Sequence, residues 1–568
     1  VANLTSGLRD ALGLDELAAR YDPVGFGPAL WRAAGSLAGQ PFPVARAHVS
    51  FGGASAQAYW ASWLRMVGLD VEGPADPGSV DSSARRHADP AYTSNAWYYL
   101  CRQQHALFAD YLCALCDAAE VDRRTRRKLD FLVDQLIEAS APANFVLGNP
   151  AVARRAFDTG GQSLVRGLRN AVRDLMTNNG APRRVPPGAF RVGTELAATP
   201  GKVVFRNRLI ELIQYEPATD TVHEIPMLFS PPWINKYYIM DLAPGRSLVE
   251  WAVRHGHTCF MISYRNPDQS MRELGMGDYL RHGPLAAIGV IQEITGASSV
   301  NAVALCLGGT LITAASAWMA ARGEQRINTL TLTNTLLDFA EPGVLGTFTD
   351  PDTVRNLGRL MSRTGYLPAS TMAATFDLLR PADLVWNYVV NGWLLGEEPA
   401  PFDMLACNAD ATRMPEAMHT EYLRACYVDN DLAKGKLELV GERLDLSAIR
   451  HDSYVVTAVS DHIAPWRTVF AGARLLGGPT RFVRSNSGHI AGVVNPPGPK
   501  SRYRVAEATE LPRRAADWLA DTVEHRSSWW EDWTRWIANR AGARREPPGT
   551  GSIAHPPLLD APGSYVLG

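Results

Sequence analysis

Three side chains in this 568-residue sequence have the types and the chain order of a nucleophile, an acid and a base: Cys306, Asp461 and His489. Cys306 sits in Val300-Asn-Ala-Val-Ala-Leu-Cys306-Leu-Gly-Gly-Thr310, where a strand-like apolar run gives way to small residues and then to a helical pattern. Small neighbours two before and two after let a backbone turn sharply between strand and helix and expose the side chain at its tip. The five-residue box reads Ala304-x-Cys306-x-Gly308, so a thiol replaces the more frequent hydroxyl and Ala replaces the first Gly. By itself such a segment also fits a buried cysteine that behaves as a small hydrophobe.

The partners downstream decide between these readings. The run Tyr454-Val-Val-Thr-Ala-Val459 leads into Ser460-Asp461-His462, which puts a carboxylate just past a strand end. A second run, Arg481-Phe-Val-Arg484, leads into Ser487-Gly488-His489-Ile490. Nucleophile, acid, base is the order in which an α/β-hydrolase fold presents them. A thioester is the acyl donor that a thiolate attacks with least change of bond type, so cysteine at the elbow points to acyl transfer rather than ester hydrolysis. His489 is then the base for the thiol, and Asp461 orients it or helps it activate an incoming hydroxyl. The N–H of Leu307, directly after the nucleophile, is the expected first oxyanion donor. The second is expected from the loop after Ile225 to Phe229, at Ile234, with Asn235 beside it. His462 and Asn235 are supporting candidates, His462 more as a neighbour of the acid than as a second base.

These residues need a sheet to hold them. Short β-rich runs at 202–205, 209–215, 225–229, 258–263, 300–305, 329–333, 454–459 and 481–484 alternate with helical segments, which predicts a mostly parallel sheet covered by helices. Residues 1–185 instead read as helical, with amphipathic stretches at 125–139 and 152–177. The turn-rich Asn178-Asn-Gly-Ala-Pro-Arg-Arg-Val-Pro-Pro-Gly188 marks the boundary. The expectation is a helical N-terminal domain, 1–185, and an α/β-hydrolase catalytic domain, 186–568. The interval between the strand ending near Thr333 and that starting near Tyr454 far exceeds a sheet crossover, so an inserted cap at about 338–445 is expected. Its Trp386, Tyr388, Trp393 and Phe402 suit an apolar tunnel or the cap's own core. The Trp-rich stretch 518–536 reads as one amphipathic segment, and Ser528-Trp-Trp530 is a candidate for packing or for contact with a partner surface.

Bulk properties narrow the classes. A net charge of −2 gives no electrostatic case for nucleic acid or an anionic membrane. Seven cysteines, an odd number spread along a long chain, do not form a disulfide framework, and Cys113-x-x-Cys116 in a helical stretch has no second pair to complete a metal site. Neither a metal nor a cofactor is expected. Arg9, Asp10, Asp15 and Glu16 interrupt any apolar leader core, and the uncharged run 300–321 breaks at Gly-Gly-Thr, so no signal or transmembrane helix is expected and a cytoplasmic location follows.

The sequence resembles the polyhydroxyalkanoate synthases. The resemblance rests on the triad and on Ser140-Ala-Pro-Ala-Asn-Phe145, Asn149-Pro150, Pro231-Pro-Trp-Ile-Asn-Lys-Tyr-Tyr238 and His257-Thr-Cys-Phe-Met-Ile-Ser-Tyr-Arg-Asn-Pro-Asp268. It continues through Leu379-Arg-Pro-Ala-Asp-Leu-Val-Trp-Asn-Tyr-Val-Val390, Pro401-Phe-Asp-Met-Leu405 and Ser528-Trp-Trp530. It covers roughly residues 85 to 568, and departs from the family at Ala304 and at Ala406-Cys407. The resemblance implies condensation of (R)-3-hydroxyacyl-CoA, with CoA as part of the substrate and a product, into a polyester at a granule surface. It further implies the class I, short-chain-monomer type, a single kind of subunit and a homodimer. Two other classes share the frame: a Cys-dependent hydrolase such as a thioesterase or intracellular polyester depolymerase, and a non-catalytic granule-associated protein.

Overall fold

The computed structural model describes residues 21–75, 87–507 and 510–568. The acidic and basic positions from Arg9 to Glu16 lie outside these residues. The chain divides into two compact units, one of residues up to Pro187 with Ala374–Pro401, the other of Gly188–Ala373 with Phe402–Gly568.

The first unit is helical: α1 (Phe26–Ala38), α2 (Pro41–Met66), α3 (Ala96–Ala118), α4 (Arg123–Ala139), α5 (Pro150–Asp158) and α6 (Gln162–Thr177). Local chemistry sets their starts. Asn95, Asp122 and Asn149 accept hydrogen bonds from the first free N–H groups of α3, α4 and α5. The stretch 152–177 is two helices rather than one, because Gly160 and Gly161 both adopt positive φ between them. Cys116 is buried and Cys113 exposed on α3, and all seven cysteines are free. Residues 374–401 of the expected cap group with this unit. There Trp393 donates from Nε1 to Asp174 Oδ2 at 3.0 Å, so it packs in this unit rather than lining a tunnel.

The second unit is built on an eleven-stranded sheet. Its strands are β1 (Gly201–Arg206), β2 (Ile210–Tyr215), β3 (Met227–Ser230), β4 (Cys259–Tyr264), β5 (Val300–Leu305) and β6 (Ile327–Thr333), then β7 (Asp452–Ala458), β8 (Thr480–Ser485), β9 (Tyr503–Val505), β10 (Val523–His525) and β11 (Leu559–Asp560). The spatial order is β10-β9-β8-β7-β6-β5-β3-β4-β2-β1-β11. Strands β4 to β8 and β3 run parallel in the centre, and the edges are antiparallel. β3, β4 and β5 are buried at every residue, as expected of strands covered on both faces. Flanking helices include α7 (Leu248–Arg254), α8 (Ala286–Thr295), α9 (Leu307–Ala321), α10 (Glu416–Tyr422), α11 (Trp466–Ala473) and α12 (Trp529–Ala538). The Trp-rich stretch is therefore not one segment: β10 interrupts it before α12. Ser528, Trp529 and Trp530 are buried at 1 % exposure or less, which makes them packing residues. Among the described residues no helix is long and apolar enough to cross a membrane.

Candidate active site

Parallel register brings the carboxyl ends of β3, β5, β6, β7 and β8 to one edge: Ser230 pairs with Ala304, Leu305 with Thr333, Val456 with Thr333 and Ala458 with Ser485. The five loops that leave this edge carry Pro231–Asn235, Cys306, Asn334, Asp461 and His489.

Cys306 occupies the one residue between β5 and α9, with φ 52° and ψ −123°. A non-glycine residue there is strained, and such strain persists only where its surroundings enforce it. Enforcement is visible: the Cys306 N–H donates to Thr333 O at 2.9 Å, and its carbonyl accepts from Gly309 and Thr310 in the first turn of α9. Ala304, the departure from the usual box, is fully buried between β3 and β6 and leaves the turn intact. A Cβ on Gly308 would collide with the backbone carbonyls of Ser230 and Pro231, so glycine is what lets α9 close on the β3 loop. That approach sets Leu307, the first residue of α9, beside the loop holding Ile234. Leu307 is at the helix position whose N–H has no partner within the helix. Asn235 turns back to Pro232 and bridges to Ala411.

The Asp461 side chain is wholly buried. One of its oxygens accepts from the N–H groups of Ile463 and Ala464, each at 2.9 Å. The other receives His489 Nδ1 at 2.7 Å. Burial alone would keep the His489 imidazole neutral. The Asp461 carboxylate and then Cys306 outweigh it, and the pKa is pushed up to about 10. Cys306 thus acts on the same ring as Asp461, and it is itself only partly buried. The structure thus places His489 in hydrogen bond with Asp461 and near enough to Cys306 to sense it. His462 is partly buried next to Asp461, with its carbonyl near Gly343.

Three residues near the site carried no sequence signal. Asn334, the first residue after β6, donates from Nδ2 to the carbonyl of His489. Tyr422, at the end of α10, and Tyr427, in the turn after it, are close enough that burial and the neighbouring thiols, Cys306 among them, hold both phenols above the usual range. Cys407 is buried in the main core cluster and Ala406 packs against it, so the second departure fills space rather than opening it. Among the described residues no cluster of His, Cys, Asp and Glu suits a metal ion.

Comparison with known proteins bears on the family and the fold. The family model for the poly-beta-hydroxybutyrate polymerase (PhaC) N-terminus matches residues 83–252, and the alpha/beta hydrolase fold model matches 240–496. The poly(3-hydroxyalkanoate) polymerase of Methylorubrum extorquens is 42% identical over 520 residues, covering 90% of this chain and 85% of the relative. A poly(3-hydroxyalkanoate) polymerase subunit PhaC of Cupriavidus necator is 42% identical over 489 residues, 85% and 82% of the two chains. Poly(3-hydroxyalkanoate) polymerase 1 of Ectopseudomonas oleovorans is 38% identical over 489 residues, 86% and 87%.

Proposed function

Because the chain belongs to the poly(3-hydroxyalkanoate) polymerases and polymerises hydroxyacyl-CoA through its α/β-hydrolase domain, we propose that Cys306, His489 and Asp461 carry the reaction. The observation that carries this reading is the buried 2.7 Å Asp461–His489 pair acting on a cysteine held in a strained turn.

The chemistry follows in two transfers. The Cys306 sulfur attacks the thioester carbonyl, the bond to the CoA sulfur breaks, and His489 returns the proton to the departing CoA thiolate. The carbonyl oxygen becomes an oxyanion in this step, facing the N–H groups of Leu307 and Ile234. In the second transfer the 3-hydroxyl oxygen of another unit attacks the acyl carbon, its proton passes to His489, and the bond to Cys306 breaks. Tyr422 and Tyr427, buried against each other and near enough to Cys306 to sense its charge, are the side chains that would keep water from taking the place of that hydroxyl.

The substrate in this reading is an (R)-3-hydroxyacyl-CoA, with 3-hydroxybutyryl-CoA preferred, and the enzyme works as a homodimer at the surface of its own granules. The hydrophobicity of the product and the outward apolar side chains of α6 support that location. A helical domain ending near residue 185 and an inserted cap complete it; the segment 402–445, which carries Tyr422 and Tyr427, is the part of that cap that belongs to the catalytic unit.

The test is incubation of pure protein with (R)-3-hydroxybutyryl-CoA, reading thiol release and insoluble polyester together. Wild type gives both, and Cys306→Ala gives neither. Free hydroxy acid in place of polymer would make the protein a hydrolase, and thiol release by Cys306→Ala would remove the cysteine from the chemistry.

A further inference from the structure

We infer that Asn334 is a positioning residue that fixes the base loop against the nucleophile turn. The inference rests on the reading of Cys306 as nucleophile and His489 as base.

The segment 333–336, at the end of β6, is bonded to the elbow and to α9. The Thr333 carbonyl accepts the Cys306 N–H at 2.9 Å. Its hydroxyl donates to Ala304 O at 3.0 Å, and Thr335 Oγ1 donates to Thr333 O at 3.1 Å. Thr310 Oγ1, one turn into α9, donates to Leu336 O at 2.9 Å. Within this segment Asn334 faces the other way. Its N–H donates to Val456 O on β7 at 2.8 Å, and its Nδ2 donates to the backbone carbonyl of His489. One side chain therefore ties the peptide that carries the base to the segment that holds the nucleophile.

Other supports of the base loop lie further along it. Trp529 Nε1 and Ser485 Oγ hold Gly492 O, and Trp530 Nε1 holds Val493 O. Asp461 fixes the ring of His489 but not its peptide. Asn334, by contrast, acts on the His489 peptide itself.

One feature of Asn334 is a poor choice for stability. Its φ of 46° lies in the left-handed region that Asn tolerates better than other side chains, but its Oδ1 is buried with no hydrogen-bond partner. Turning the amide over would put oxygen against the His489 carbonyl, so the unpaired atom comes with the bond. An unsatisfied polar group that persists in a buried place is one to test for function.

The experiment measures alkylation of Cys306 by iodoacetamide from about pH 5.5 to 9.5, with the site read by mass spectrometry, since a cysteine without a nearby imidazolium follows an ordinary thiol titration near 8.5. Thermal midpoints and single-turnover CoA release accompany it for wild type, Asn334→Gly, Asn334→Asp and His489→Gln. Glycine suits the backbone and removes the donor, whereas Asp keeps the shape and puts a carboxylate against the His489 carbonyl. The expected result is a loss of about tenfold or more in alkylation and CoA release for Asn334→Gly at neutral pH. Its pH profile moves toward that of His489→Gln, and Asn334→Asp is worse, with folding retained. A profile that superimposes on wild type, whatever the stability, would leave Asn334 a structural residue and overturn the inference, as would failure of both Asn334 variants to fold. A wild-type profile in His489→Gln would instead remove the base on which the inference stands.

Discussion

Helices α9 and α6 use the same contact to opposite ends. Each carries a glycine pressed on backbone carbonyls: Gly308 on Ser230 and Pro231, Gly167 on Trp393. In α9 nearly every other position is apolar or small and buried, so the helix lies inside the sheet layers and its first turn is fixed to the nucleophile. In α6 the inward positions are Ser163, Gly167, Asn170 and Asp174. The apolar residues point out, with Leu168 66% and Met176 80% exposed. What α6 packs against explains the inversion. Its partner is the turn at Val389–Leu394, which offers a backbone carbonyl and an indole N–H: Asn170 Nδ2 donates to Gly392 O at 3.1 Å and Trp393 Nε1 donates to Asp174. Buried carbonyls and N–H groups left unpaired are costly, so the polar side of the helix wins the inner place.

The largest effect expected from this comparison is at Gly308. Gly308→Ala must push the Pro231–Asn235 loop away, because the obstructing atoms are backbone rather than flexible side chain. Acyl transfer in a single turnover should fall by about 10² or more, with a stability cost of roughly 1–3 kcal/mol in chemical denaturation. An unchanged rate would mean that the close approach of α9 has no part in catalysis.

Next in size is Asp461→Asn. Burial works against a charged His489, and Asp461 is the largest influence raising it, so without the carboxylate the imidazolium no longer persists up to about pH 10. The sign for stability is that of a raised histidine: its contribution is full below the unfolded value of about 6.5 and is lost as pH rises through the folded one. The His489 share of the variant's deficit should therefore be widest in mild acid and close toward alkaline pH. In activity, acylation should drop by about tenfold but polymerisation by about 10³, since a 3-hydroxyl is a far weaker acid than a thiol and needs the polarised base. Single-turnover acylation and steady-state polymer formation on one preparation check the split, and equal losses would return Asp461 to orienting the ring only.

The catalytic unit was legible where each strand is a buried apolar run that ends at a short loop. All eight β-rich runs correspond to strands, and Cys306, Asp461 and His489 follow three strand ends that lie at one edge of the sheet. Legibility failed where sequence pattern does not encode a partner. β9, β10 and β11 are antiparallel strands of two or three residues, too short for periodicity to register. The moment of α6 was plain, but a moment names the residues that share a face and not the direction it points. Asn334 in Thr-Asn-Thr carries no pattern of its own, and only the loop that folds over it from 155 residues later gives it a partner.

In the first unit the corresponding glycine should affect stability alone. Gly167→Ala presses a methyl onto the Trp393 carbonyl and should destabilise the helical unit by roughly 1–3 kcal/mol. CoA release per folded molecule should stay within about twofold, since the residues proposed for the chemistry belong to the other unit. A parallel loss of rate and stability would show that the two helices are not the independent devices the comparison makes them.

The smallest effect is the sharpest test of the inverted helix. Leu168 is apolar and occupies the stripe that an amphipathic helix ordinarily buries, where removal of its side chain would cost about 2–5 kcal/mol. With the stripe facing out, Leu168→Gln should change unfolding free energy by no more than about 0.5 kcal/mol. Its counterpart, Asn170→Leu, adds apolar surface to the helix yet strips the Gly392 carbonyl of its donor, so it should cost about 1–3 kcal/mol. The two substitutions thus have the reverse of the order that hydropathy assigns. Urea denaturation of both at two protein concentrations measures it. If Leu168→Gln were the more damaging and its deficit grew on concentrating the protein, the stripe would be covered by a second copy, and the polar face of α6 would no longer be the one that holds the helix in place.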